Sequence, residues 1–161
     1  FNLERMNDFT IPQKAKVART FQNIRLFPQM TVLENLVVAQ HNKLMKASMY
    51  TLKGLINAKS FVKAENEAKE LAKYWLDKIN LTDRTDIEAG NLPYGQQRKV
   101  EICRSMCTDP TLLCLDEPAA GLNATESLEL NSLLEFIKNE HKISILLIEH
   151  DMSVVMGSFM A

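Results

Sequence analysis

The sequence predicts an α/β protein, a mostly parallel sheet with an all-helical segment inserted into it. Two apolar runs carry the sheet: Leu112–Asp116 and Ile143–Ile148 are too short for helices, and each ends abruptly in polar residues. Such runs are expected of strands covered on both faces of a parallel sheet. Between them Leu130, Leu133, Leu134 and Ile137 recur at helical spacing, which supplies the crossover that two parallel strands require. A change of texture carries the insertion, because residues 31–90 show helical periodicity alone.

Each element has its own signal. Phe1 to Gln29 is short and mixed, with Pro12 and Pro28 as breakers, and Val17–Gln22 reads as a strand running into a loop. Thr31-Val32-Leu33-Glu34 is a capping box that starts a helix with Leu33, Leu36 and Val37 on its apolar face. Residues 41–60 are loosely patterned and basic, with Lys43, Lys46, Lys53 and Lys59. Ser60 is expected to cap a long helix that buries Ala68, Leu71, Ala72, Trp75, Leu76 and Ile79 and turns Lys69, Glu70, Lys73 and Lys78 outward. A further helix is expected over Gln96–Cys107, ended by Asp109-Pro110. Asn123-Ala124-Thr125-Glu126 opens the crossover helix.

Bulk properties set the limits. The 161 residues make about one domain, or one domain and a small insert, and 46% apolar residues build a substantial core rather than a disordered chain. A net charge of −1 gives no basic excess, so no nucleic-acid partner is expected. Cys103, Cys107 and Cys114 form no Cys-x-x-Cys pair and are odd in number, which favours buried reduced thiols of a cytosolic protein over disulfides or a zinc site. No apolar run reaches the roughly 18 residues of a membrane span, and no signal peptide is visible. The chain opens on Phe1 and stops at Ala161 inside a helix-like stretch, so it is expected to be a piece of a longer protein.

The candidate chemistry sits at Asp116-Glu117. Two carboxylates at the tip of a buried strand lie where open α/β sheets bind ligands. Adjacent strand residues face opposite ways, so one carboxylate can hold a cation while the other works on a water. Nucleoside triphosphate hydrolysis needs that division. Read alone, the pair is equally a strand entering a polar loop that Pro118 terminates.

Three further features fall into line with it: Gln22 after the first strand, Leu92-Pro93-Tyr94-Gly95-Gln96-Gln97 opening a helix, and His150 after the last strand. In this order and spacing the set resembles the ATP-binding subunit of an ATP-binding cassette (ABC) transporter, over essentially the whole chain. The wording of Arg19–Phe27, Met30–Leu36, Asn91–Arg98 and Glu117–Asn123 is similar to the LivG-type ATPases of bacterial branched-chain amino acid importers.

The resemblance implies a P-loop-NTPase-like sheet with an inserted all-helical ABC subdomain. It divides the chain into the end of the ATPase core with its glutamine loop (1–30), the helical subdomain (31–92), and the signature helix, acidic strand and switch-histidine strand of the core (93–161). It implies ATP and Mg²⁺ as cofactors. Asp116 resembles the Mg²⁺ acid, Glu117 the general base, Gln22 the glutamine that touches Mg²⁺ and the water, and His150 the histidine that contacts the γ-phosphate. Leu92, Pro93, Tyr94, Gly95 and Gln96 resemble the signature motif that caps ATP held by a second ABC ATPase subunit, and Asn123 lies in the D-loop position. The implied partners are that second subunit, identical or related, two membrane permeases, and indirectly a periplasmic binding protein. The implied place is the cytoplasmic face of the bacterial inner membrane. Ile24, Leu26 and Phe27 are read either as a permease contact or as core.

Three departures stand out. Pro93 replaces a serine, which removes a hydroxyl from the phosphate-facing end, and Tyr94 replaces a glycine. Asn123 stands where aspartate is common. The five glycines, at 54, 90, 95, 121 and 157, open no Gly-x-x-x-x-Gly-Lys-[Ser/Thr] phosphate loop. The 161 residues alone are therefore expected to bind ATP poorly and not to turn it over. The competing readings are an ABC ATPase acting on DNA or the ribosome, and a non-catalytic binding module.

Overall fold

Three short strands run parallel in the order β1 (Val17–Arg19), β2 (Leu112–Asp116) and β3 (Ser144–Ile148). The computed structural model describes residues 14–49 and 58–149. The bounds of β2 are those of its apolar run, because five residues suffice for a strand and not for a helix. Register pairs Arg19 with Cys114, and Asp116 with Ile148.

One face of the sheet carries Ala18, Leu113 and Leu115, all buried, with Ile145 and Leu147 packed beside them. The other carries Arg19, Cys114, Asp116, Leu146 and Ile148. Leu146 and Ile148 are 54% and 50% exposed there. The expectation of cover on both faces thus holds on one face only, among the described residues.

The covered face lies on α4 (Tyr94–Met106) and α5 (Ala124–Glu140). Val100, Ile102, Cys103, Met106 and Cys107 from the first, and Leu130, Leu133, Leu134 and Ile137 from the second, share a single core cluster with the strands. Trp75 and Leu76 join this cluster from the long helix α3 (Ala58–Lys78). Ser60 falls inside α3 rather than at its start. The loosely patterned stretch after Gln40 contains α2 (His41–Met49). Its Leu, Met, Lys and Ala residues are good helix formers, and it packs beside α3.

Helix α1 (Val32–Val38) starts in a full capping box. Glu34 N–H donates to Thr31 Oγ1, and Thr31 N–H donates to Glu34 Oε2 at 2.8 Å. Val32 and Leu33 donate instead to the carbonyls of Ile87 and Thr85. The free donors of the first turn are therefore satisfied partly by its own cap and partly by the 81–91 loop.

Asn35 fastens the preceding turn. It is fully buried, its Oδ1 accepts from Phe27 N–H at 2.9 Å, and its Nδ2 donates toward the carbonyls of Phe27, Met30 and Thr31. Within the apolar patch of the sequence, Leu26 packs on the core while Phe27 is half-exposed. Asn35→Ala leaves several buried backbone groups unpaired and is expected to lower stability by about 2–3 kcal/mol. Denaturant unfolding followed by the fluorescence of Trp75, the single tryptophan, measures it.

Candidate functional site at the carboxyl end of the sheet

Asp116 ends β2, and the chain leaves the strand at Glu117 with φ +46°. A left-handed conformation at a non-glycine residue costs on the order of 1–3 kcal/mol and is held only when neighbours enforce it. Several do. Glu117 N–H donates to Ile148 O at 2.9 Å, Ala120 N–H donates back to Glu117 O, and Ala119 N–H donates to Glu149 Oε1 at 2.9 Å. The tip of β2 is thereby tied to the end of β3.

The two carboxylates take separate partners. Asp116 Oδ2 lies 3.1 Å from Arg19 Nη2. Arg19 and Arg25 stack their guanidinium groups over the Phe21 ring, with centroid distances of 5.0 and 4.1 Å. Glu117 Oε2 accepts from Gln22 Nε2 at 2.8 Å. The structure therefore brings Gln22, Asp116 and Glu117 together and adds Arg19, which sequence reasoning did not single out.

The 92–97 segment is built differently. Leu92 is buried, Pro93 is the N-cap of α4, and no side chain caps this helix. Gln96 accepts a long bond from Arg84, at 3.4 Å. A Cβ on Gly95 would stand 2.4 Å from Glu126 Oε1, so only glycine admits that carboxylate against the first turn of α4. Glu126 is itself fixed by Asn123: its N–H donates to Asn123 Oδ1, and its Oε2 accepts from Asn123 N–H. A carboxylate beside a helix N-terminus is electrostatically favoured. Asn123 thus starts α5 and orients Glu126 toward α4. Gly121 turns the 117–123 segment with φ +79°, a left-handed conformation that favours glycine.

The link between the two groups is Arg98, fully buried with its partner Glu101. Arg98 Nη1 lies 2.9 Å from Glu101 Oε2 and 2.8 Å from Phe21 O, and Nη2 donates to Gln22 O and, at 3.0 Å, to Tyr94 Oη. Glu101 Oε1 accepts from Arg25 N–H at 2.9 Å. The signal in the sequence is slight: two opposite charges three apart on a helix that also carries Val100, Ile102 and Cys103. His150 lies outside the described residues.

The ABC transporter family model matches residues 4–120. The chain belongs to the ABC transporter family. It is 51% identical to the high-affinity branched-chain amino acid transport ATP-binding protein LivG of Escherichia coli, over 88% of this chain and 54% of that protein. BraF of Pseudomonas aeruginosa is matched to the same extent. The chain thus spans about half the length of the relatives it matches. An ATP-binding cassette of an ABC transporter, solved in its ADP conformation, superposes with TM-score 0.68 and 29% identity over 89% of this chain and 54% of that one. A dimeric cassette bound to ADP and Pi gives TM-score 0.68 at 21% identity over 93% and 60%, a likeness of fold.

The residues of this ABC chain fit a hydrated Mg²⁺, which is ordinarily held by one or two carboxylates together with water and substrate phosphates. No group of three or more metal-binding side chains occurs among the described residues, and a cation bridging to phosphate needs none. A cradle for the β- and γ-phosphates is a different matter, since the sequence holds no phosphate loop.

Cys103 and Cys107 are buried and free, and Cys114 is half-buried beside Arg19 on the open sheet face. Burial pushes the Cys107 thiol up to about 12 and the Cys103 thiol well above its ordinary value. The folded state holds these protons more tightly than the unfolded state does, so stability is undiminished below pH 9.0, the ordinary value, and falls as pH rises toward 12. Denaturant midpoints between pH 8 and 11 should decline roughly in this way, and Cys107→Ala should flatten the decline.

Proposed function

We propose that this chain is part of an ATPase subunit that powers import of branched-chain amino acids across a bacterial inner membrane. The observation that carries hydrolysis is the contact between Gln22 and Glu117, residues 95 apart in sequence, beside Asp116. The substrate class rests on likeness to LivG and BraF, whose names state branched-chain amino acid transport.

In this reading Asp116 would hold hydrated Mg²⁺, with Gln22 beside it, and Glu117 takes a proton from the attacking water. Gln22 orients that water through its contact with Glu117, and Arg19 neutralises Asp116. His150 contacts the terminal phosphate. The first turn of α4, with Leu92, Pro93, Tyr94, Gly95 and Gln96, closes on the nucleotide of a second ABC ATPase subunit, and Asn123 faces the same junction. Mg²⁺ supplies charge neutralisation at the transferred phosphoryl group.

The division into core (1–30), helical subdomain (31–92) and core (93–161) follows, with two permeases docking on the helical part and a periplasmic binding protein acting through them. No helix among the described residues is long and apolar enough to cross a membrane; in this reading the permeases hold the subunit at the cytoplasmic face.

The test uses the polypeptide completed with its phosphate loop. Glu117→Gln is expected to reduce Mg²⁺-dependent ATP turnover roughly 100-fold or more and to leave ATP binding intact. Turnover that survives this substitution, or that ignores removal of Mg²⁺, sinks the hydrolytic reading. Uptake of leucine, isoleucine and valine that persists in a cell carrying only the Glu117→Gln form sinks the transport reading.

A further inference from the structure

Tyr94 stands where the family motif places a glycine, and it makes two contacts that a glycine could not. Its ring faces the Arg98 guanidinium, whose Cζ stands 5.7 Å from the ring centroid. Its hydroxyl accepts from Arg98 Nη2 at 3.0 Å.

Arg98 makes the second contact consequential. Its guanidinium has five N–H donors. Four partners receive them: Phe21 O, Gln22 O, Glu101 Oε2 and Tyr94 Oη. The fifth, on Nε, is buried without a partner. A side chain that is fully buried and already one bond short pays heavily for losing another. Tyr94 Oη is the one acceptor of the four that belongs to the 92–97 motif. The two carbonyls on Arg98 belong to the residues that present Gln22, and the Gln22 side chain holds Glu117 at 2.8 Å.

We propose that Tyr94 is a positioning residue that couples the start of α4 to the Gln22–Glu117 pair. The hydroxyl sets the Arg98 fork, the fork sets the backbone at Phe21 and Gln22, and that backbone sets where Gln22 meets Glu117. A shift of the first turn of α4, where the proposed function places the partner subunit's nucleotide, is thereby felt at this subunit's own carboxylate. The inference deepens the proposed function and rests on it for the roles of Gln22 and Glu117.

The experiment compares the complete polypeptide with its Tyr94→Phe and Tyr94→Gly forms, with Tyr74→Phe as a control at a tyrosine that bonds His141 instead. Hydrogen exchange of the Arg25 amide, which Glu101 holds, reads the geometry without nucleotide. Tyr94→Phe is expected to speed that exchange about tenfold, the consequence of one lost charge-assisted bond. Exchange elsewhere should change less than at Arg25, and the thermal midpoint should fall by no more than a few degrees, the cost of one bond. Turnover of ATP should fall roughly threefold or more with KM within about twofold, because positioning acts on the chemical step rather than on binding. Tyr94→Gly, although it restores the family residue, should fall at least as far.

Unchanged exchange at Arg25 in both variants overturns the proposal whatever turnover does. Exchange quickened throughout the chain as much as at Arg25, with a midpoint lowered by more than a few degrees, overturns it too, since that is general destabilisation. Wild-type protein without ATP turnover would overturn the proposed function, and the exchange result would still decide the link from Tyr94 to Gln22.

Discussion

A buried ion pair holds the candidate site together. Arg98 and Glu101 are withdrawn from water on α4; Glu101 accepts from Arg25 N–H, and Arg98 donates to the carbonyls of Phe21 and Gln22 and to Tyr94 Oη. Taking two charges out of water carries a penalty of several kcal/mol per ion, and their mutual attraction offsets it only when further hydrogen bonds complete the arrangement. Here the backbone of the glutamine loop completes it. The loop has almost no regular structure of its own, so its conformation depends on the pair. Gln22 can reach Glu117 because Arg98 fixes the carbonyl from which the glutamine side chain departs.

The carboxylate end of the sheet is a second constrained region, and its constraints come from the backbone. Glu117 adopts a left-handed conformation that an isolated turn would not favour. The bond to Ile148, the bond from Ala119 to Glu149, and the Asn123–Glu126 capping box each restrain one part of the turn. Glu126 also fills the space that Gly95 leaves, so the start of α5 and the start of α4 are shaped to each other. Residues from four separate stretches of the chain thus come to one end of the sheet, and the ABC family relationship accounts for their order along it.

Much of the fold was legible because it follows from local physics. The apolar run of β2 was bounded by charge, and the two capping boxes at Thr31 and Asn123 used short-range hydrogen bonds that four residues specify. The buried faces of α3 and α5 followed from helical periodicity. Helix α2 was less visible, because a nine-residue helix gives little periodicity to read. Ser60 misled because a serine before a helical pattern resembles a cap even when the helix begins earlier.

The sequence by itself determined the parallel α/β arrangement, the acidic strand tip, and the family to which the residues around Gln22, Gly95 and Glu117 belong. Those are matters of apolar pattern, residue type and order, all of which are written linearly. Only the tertiary structure decided that Arg98 and Glu101 turn inward, that Arg19 faces Asp116, that Tyr94 bonds Arg98, and that one face of the sheet is open among the described residues. A charged residue on a helix is by default solvated, and nothing within a few residues of Arg98 announces otherwise. Its burial is decided by carbonyls 76 and 77 positions away, which approach it only once β1 has paired with β2.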